Sequence, residues 1–130
     1  MKMVSLDILS ETATLADLSK ALGVDASHGS SHERGSARPL HRVWEKTVWR
    51  LESDVAENAP LSQHIENILQ RVSTVKLSGA LPHDCTVYLN IGVTFETAMC
   101  SIEIPPASLQ LLSKAGIRLL VNCYPSSSPE

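Results

Sequence analysis

Val4, Leu6 and Ile8 alternate with Ser5 and Asp7, the period-two pattern of a half-buried first strand. Leu15, Leu18 and Leu22 then fall on one helical stripe between Thr14, a capping hydroxyl with Asp17 three residues on, and Gly23, a left-handed stop. From Asp25 to Leu40 large apolar residues almost vanish and Ser, Gly, His, Arg and Pro take over, which predicts a long exposed loop over 25–40. Alternation returns from His41 to Ser53, with Val43, Thr47, Trp49 and Leu51 on one side and Arg42, Trp44, Lys46, Val48, Arg50 and Glu52 on the other.

Pro60 precedes Leu61, Ile65, Ile68, Leu69 and Val72, the clearest helical stripe in the chain, running on less regularly to Leu77 and Leu81 before Pro82. In this helix His64 is assigned to the polar, solvated side. Cys85 to Phe95 alternates as a third strand, and Ala98, Cys100, Ile102 and Ile104 predict a fourth. After Pro105 and Pro106 comes a short helix around Leu109 and Leu112, closed by Ala115 and Gly116. The final strand, Ile117 to Tyr124, is apolar almost throughout, which predicts a place inside the sheet.

The resulting order, β-α-β-α-β-β-α-β, predicts an α+β fold with an antiparallel-rich sheet of about five strands and two or three helices packed on it. Residues 1–124 are expected to form one domain, with 125–130 a frayed Ser/Pro-rich tail. A length of 130 residues suffices to bury a core without metal or disulfide staples. With only 4% aromatic residues, that core must be aliphatic.

Charge changes the picture. Arg34, Arg38, Arg42, Lys46 and Arg50 recur every four residues around both tryptophans of the chain. Between His28 and Arg50, five cations meet two acids, so the segment stands at +3 while the whole chain is −3 and the remainder −6. Phased against a strand, Arg42, Lys46 and Arg50 share a side with Trp44, while Trp49 turns inward. These four, Arg42, Trp44, Lys46 and Arg50, are the candidate binding residues for an anion or an acidic partner. Cations on an edge strand also serve to block unwanted strand pairing.

Other chemistry is sparse. His28 and His32 are the candidate metal pair, but a site needs further fixed ligands; neither a metal nor a cofactor is predicted. Cys85, Cys100 and Cys123 are odd in number and scattered, which argues for reduced thiols. His83, Asp84 and Cys85 form the one tight group of nucleophile-and-base types. Phosphate-binding glycine loops are missing. No segment reads as a signal peptide or membrane span, so a cytoplasmic location is the expectation.

The spacings Leu15-x-x-Leu18-x-x-x-Leu22-Gly23, Trp49-x-Leu51-x-Ser53, Leu61-Ser62-x-His64-Ile65 and Gly116-x-x-Leu119-x-x-x-Cys123-Tyr124 resemble the small bacterial domains grouped as domain of unknown function 4279. The resemblance covers about Val4 to Tyr124 and implies a single α+β domain of bacterial origin. It carries over no catalytic residue. In this chain the loop holds His28, His32 and several serines where the family has a shorter Gly-containing turn.

Taken together, the sequence points to a non-enzymatic interaction module that binds an acidic protein partner through the tryptophan strand; an immunity-type inhibitor is an analogous case. The alternative is a small-ligand-binding protein or hydrolase with a pocket formed by Trp44 or Trp49, Tyr88, Arg42 and a loop histidine. Nucleic acid ranks below both, since two tryptophans on an acidic body make a poor stacking platform. Nothing in the sequence specifies an oligomeric state.

Overall fold

The structure is a computed structural model and describes residues 2–95 and 102–125. The described residues form six strands and four helices: β1 Lys2–Ser10, α1 Leu15–Leu22, β2 Ala37–Arg38, β3 Arg42–Val43, β4 Thr47–Glu52, α2 Leu61–Arg71, α3 Thr74–Gly79, β5 Thr86–Phe95, α4 Pro106–Lys114 and β6 Arg118–Pro125. A four-stranded sheet runs β4-β1-β5-β6, and β2 with β3 makes a separate two-stranded hairpin. β1 is antiparallel to both β4 and β5, whereas β6 joins β5 in parallel.

Local chemistry accounts for the elements. Thr14 and Asp17 make both bonds of a capping box at the start of α1, and Gly23 ends it at φ +72°. Inward residues Val4, Leu6 and Ile8 of β1, Trp49 and Leu51 of β4, and Leu89 and Ile91 of β5 join Leu18, Ile65, Ile68 and Leu112 of the helices in one buried cluster. The core is aliphatic around a single indole. Trp49 is wholly buried, and its Nε1–H donates to Ser19 Oγ at 3.0 Å, so the polar end of the ring is satisfied and α1 is pinned to β4.

Several expectations are corrected. Of the predicted fourth strand, residues 98–101 lie outside the described residues, and 102–105 have no strand structure. The main sheet therefore has four described strands with mixed pairing instead of about five. Helix α2 stops at Arg71 because Val72 is extended, at φ −120° and ψ 125°; Ser73 then caps the separate six-residue α3 by accepting from the Lys76 N–H. The strand predicted from His41 to Ser53 is broken by a bend at Glu45 and Lys46, so Arg42 and Val43 belong to the hairpin and Thr47–Glu52 to the main sheet.

β6 lies at the edge of the described sheet, not inside it, and exposes Leu119, Leu120 and Val121 by about two fifths each. The inner places belong to β1 and β5, and the alternating pattern of β1 suggested one wet face. That face is buried all the same: Ser5 and Asp7 are about as enclosed as the core. A guanidinium and an amide from the neighbouring strands cover them, and a hydropathy pattern does not register cover of that kind.

Candidate interaction surface

The segment between α1 and β4 is stitched to its surroundings at several points. His32 and Val48 exchange both backbone hydrogen bonds at 2.8 Å, and Ser27 N–H donates to Arg50 O at 2.7 Å. The segment therefore covers the outer edge of β4. Glu33 Oε2 accepts from Leu15 N–H at 2.8 Å, so this loop carboxylate serves the N-terminus of α1. The Arg34 guanidinium donates to Glu11 O.

From that anchored base the β2–β3 hairpin projects. Gly35 N–H donates to Trp44 O at 2.7 Å and Trp44 N–H to Ser36 O at 3.0 Å, which fixes the backbone of the tryptophan at the hairpin's foot. The indole is half-buried. His32 stacks on it with centroids 4.0 Å apart and planes 13° from parallel, and the Arg38 guanidinium carbon lies 4.2 Å from its centroid. The stack combines aromatic and cation–π contact and braces the hairpin from within.

At the hairpin's tip, Leu40 and His41 take φ +64° and +57°. Neither is glycine, and the left-handed region costs such residues roughly 1–2 kcal/mol each. Leu40 is 81% exposed and Val43 55%. Arg42 is also exposed, with no ion pair among the described residues. The tip thus presents apolar side chains flanked by cations.

The four candidate binding residues end up in different settings. Arg42 and Trp44 belong to the hairpin. Lys46 sits in the bend, 3.8 Å from the Glu11 carboxylate, with both side chains in solvent. Arg50 lies on the main sheet and makes a two-pronged pair with Asp7, Nε to Oδ1 and Nη2 to Oδ2, each 2.9 Å. Asp7 also accepts from Ser5 Oγ at 2.8 Å and Asn90 Nδ2 at 3.2 Å, and Asn122 Nδ2 donates to Asn90 Oδ1 at 3.1 Å. One polar chain therefore crosses all four strands of the sheet.

His32 stacks on Trp44, while His28 lines a cavity of about 590 Å³ beside α1. Among the described residues no group of three or more His, Cys, Asp and Glu is placed to hold a metal ion. The His28 cavity takes in neither tryptophan, nor Tyr88, nor Arg42, so the constellation imagined for a ligand pocket is not assembled there.

Of the His83–Asp84–Cys85 group, Asp84 turns away, while His83 and Cys85 line one cleft. Asp84 turns back to the end of β1, accepting from Glu11 N–H at 2.7 Å and from the Ser10 and Thr12 hydroxyls. The Glu11 N–H in the first place, and these hydroxyls after it, hold the carboxyl below its ordinary range. Burial pushes the Cys85 thiol up, and the Asp84 charge adds to that, opposite to what an activated thiolate needs.

Contrary to expectation, His64 is buried, and its Nδ1 meets Ser53 Oγ at 2.7 Å. Ser53 Oγ also accepts from Val55 N–H at 3.2 Å, so one hydroxyl links the backbone beyond β4 to the imidazole. The arrangement ties the end of β4 to α2. The spacing 61–64–68 would have revealed it, since position 64 lies on the same helical stripe as Leu61 and Ile68.

None of the described helices is long and apolar enough to cross a membrane. No curated protein and no solved structure matches the chain. A family model does match, over residues 1–126, and the span takes in the hairpin, the sheet and the Ser53–His64 tie alike: the chain belongs to the family described as Domain of unknown function (DUF4279).

Proposed function

We propose that this domain is a non-enzymatic interaction module that engages an acidic protein partner through the β2–β3 hairpin and the Trp44 stack beneath it. The observation that carries this reading is the hairpin itself. Its tip holds Leu40 in solvent at a backbone cost, between Arg38 and Arg42, on a chain that is otherwise acidic. Strained, exposed apolar residues ringed by charge belong to surfaces that gain cover on binding. Arg38 and Arg42 steer and orient an acidic surface, and Leu40 and Val43 supply the desolvated contact.

Among the candidate binding residues, Arg42 and Trp44 form the centre of this surface and Lys46 its rim. Arg50 supports it from below, holding β4 against β1. An inhibitor that neutralises a toxin by surface complementarity is one biological form of such a module.

Capture from lysate of the native cell tests the reading. A partner retained by the wild-type chain at low salt, released at high salt and lost with the Arg38→Gln/Arg42→Gln variant is the expected result. No partner at either salt removes the support.

A further inference from the structure

The turn from α4 into β6, together with the loop that leads into β5, encloses a cleft of about 460 Å³. Among the described residues its charged lining is one-sided: Lys114, Arg118 and the imidazole of His83 border it, and no carboxylate does. Among the described residues, none of the three makes an ion pair. On a chain of net charge −3, that is a local surplus of positive charge without an internal counterpart.

Asp84, adjacent to His83 in sequence, does not line the cleft: its carboxylate turns to Ser10, Glu11 and Thr12 at the end of β1, although its charge still reaches Cys85 on the cleft wall. The carbonyls at the end of α4 accept bonds, Leu111 from Ala115, Leu112 from Ile117 and Ser113 from Gly116, and Lys114 in the last turn opposes the negative end of the helix dipole. Gly116 sits at φ +69°, and a Cβ built there meets no heavy atom within 4 Å, so the backbone is open to close approach. Leu77, Val87 and Ala115, all buried, contribute a small apolar patch to a lining that is mostly polar.

From this arrangement we infer that the cleft is a binding site for a small organic anion, a carboxylate or phosphate group on a compact body. Lys114 and Arg118 hold the anionic end, and Leu77, Val87 and Ala115 take the apolar part. No hairpin residue lines the cleft, so the inference stands independently of the partner surface.

An amide NMR titration of the full chain with inorganic phosphate, phenyl phosphate and citrate, against sodium chloride at matched ionic strength, tests it. Saturable shifts at His83, Lys114, Gly116 and Arg118 are expected from the phosphates, from citrate or from both, and the responding arm identifies the anion class. If the phosphates respond, phenyl phosphate binds more tightly than inorganic phosphate, because its ring covers the apolar patch. Lys114→Gln/Arg118→Gln weakens binding by about tenfold or more, the loss expected when charged hydrogen bonds are removed, while Lys20→Gln leaves it unchanged; the same spectra show that each variant is folded. Shifts that fail to saturate, that match the chloride control, or that persist in the double variant overturn the inference.

Discussion

On β4 the Arg50 guanidinium lies flat against a buried carboxylate with two 2.9 Å bonds, while on β3 the Arg42 side chain stands in solvent with no ion pair among the described residues. Both belong to the same four-residue ladder of cations. The difference comes from what lies alongside each strand. β4 pairs with β1 in a register that puts Arg50 opposite Asp7, whereas β3 pairs only with β2, in a register that puts Arg42 opposite Arg38. One cation was thus drawn into the architecture; the other was left at a tip with a like charge for company. A repeat of charge along a sequence marks a surface only where no opposite charge pairs with it.

The largest effect that would sharpen this contrast is Arg50→Ala, which leaves Asp7 enclosed without its cation and is expected to cost about 3 kcal/mol. Arg42→Ala is expected to stay within about 0.5 kcal/mol of wild type. Urea unfolding of the pair reads both, and equal losses would break the comparison. Next, Trp44→Ala removes the stack with His32 and Arg38 and should cost about 1–2 kcal/mol, read by the same measurement, with increased amide exchange confined to the hairpin. Smaller again, Leu40→Gly should raise stability by about 0.5 kcal/mol, since relief of the left-handed strain outweighs the added flexibility of the unfolded chain. A loss there would mean that the Leu40 side chain is held by the fold.

Asp84 supplies a pH-dependent control. Its carboxyl is depressed in the folded state, so its contribution is present above the unfolded value, near 4, and disappears as pH falls through the folded one. Asp84→Asn should therefore flatten the acid limb of stability below about pH 4. The limb should persist in Arg42→Ala, because that arginine makes no contact with Asp84.

Much of the frame was legible from periodicity. β1, the capping box and glycine stop of α1, the stripe of α2, the alternation of β5 and the inward turn of Trp49 follow from side-chain spacing and local capping chemistry, which act over a few residues. What escaped depends on partners distant in sequence. The bend at Glu45 and Lys46 separates two stretches that look like one alternating strand, and nothing local marks it. The break at Val72 lies inside a run of good helical spacing. β6 is apolar yet lies at the edge of the described sheet, and β1 holds an inner place where Arg50 and Asn90 meet Asp7, contacts across 43 and 83 residues.

The candidate surface was legible only in part. Its charge and Trp44 stood out, but the stacking of His32 and Arg38 on the indole depends on the loop folding back along β4. Leu40 gave no signal, because an isolated leucine before a histidine does not announce a left-handed turn.

The hairpin tip is the proposed docking point, and a photo-crosslinking residue placed at Leu40 tests that most directly. In lysate of the native cell, one discrete protein adduct is expected that fades at high salt, disappears with Arg38→Gln/Arg42→Gln and is absent when the crosslinker is moved to Glu66 on α2. The absence of an adduct at position 40, or the same adduct from both positions, would contradict it.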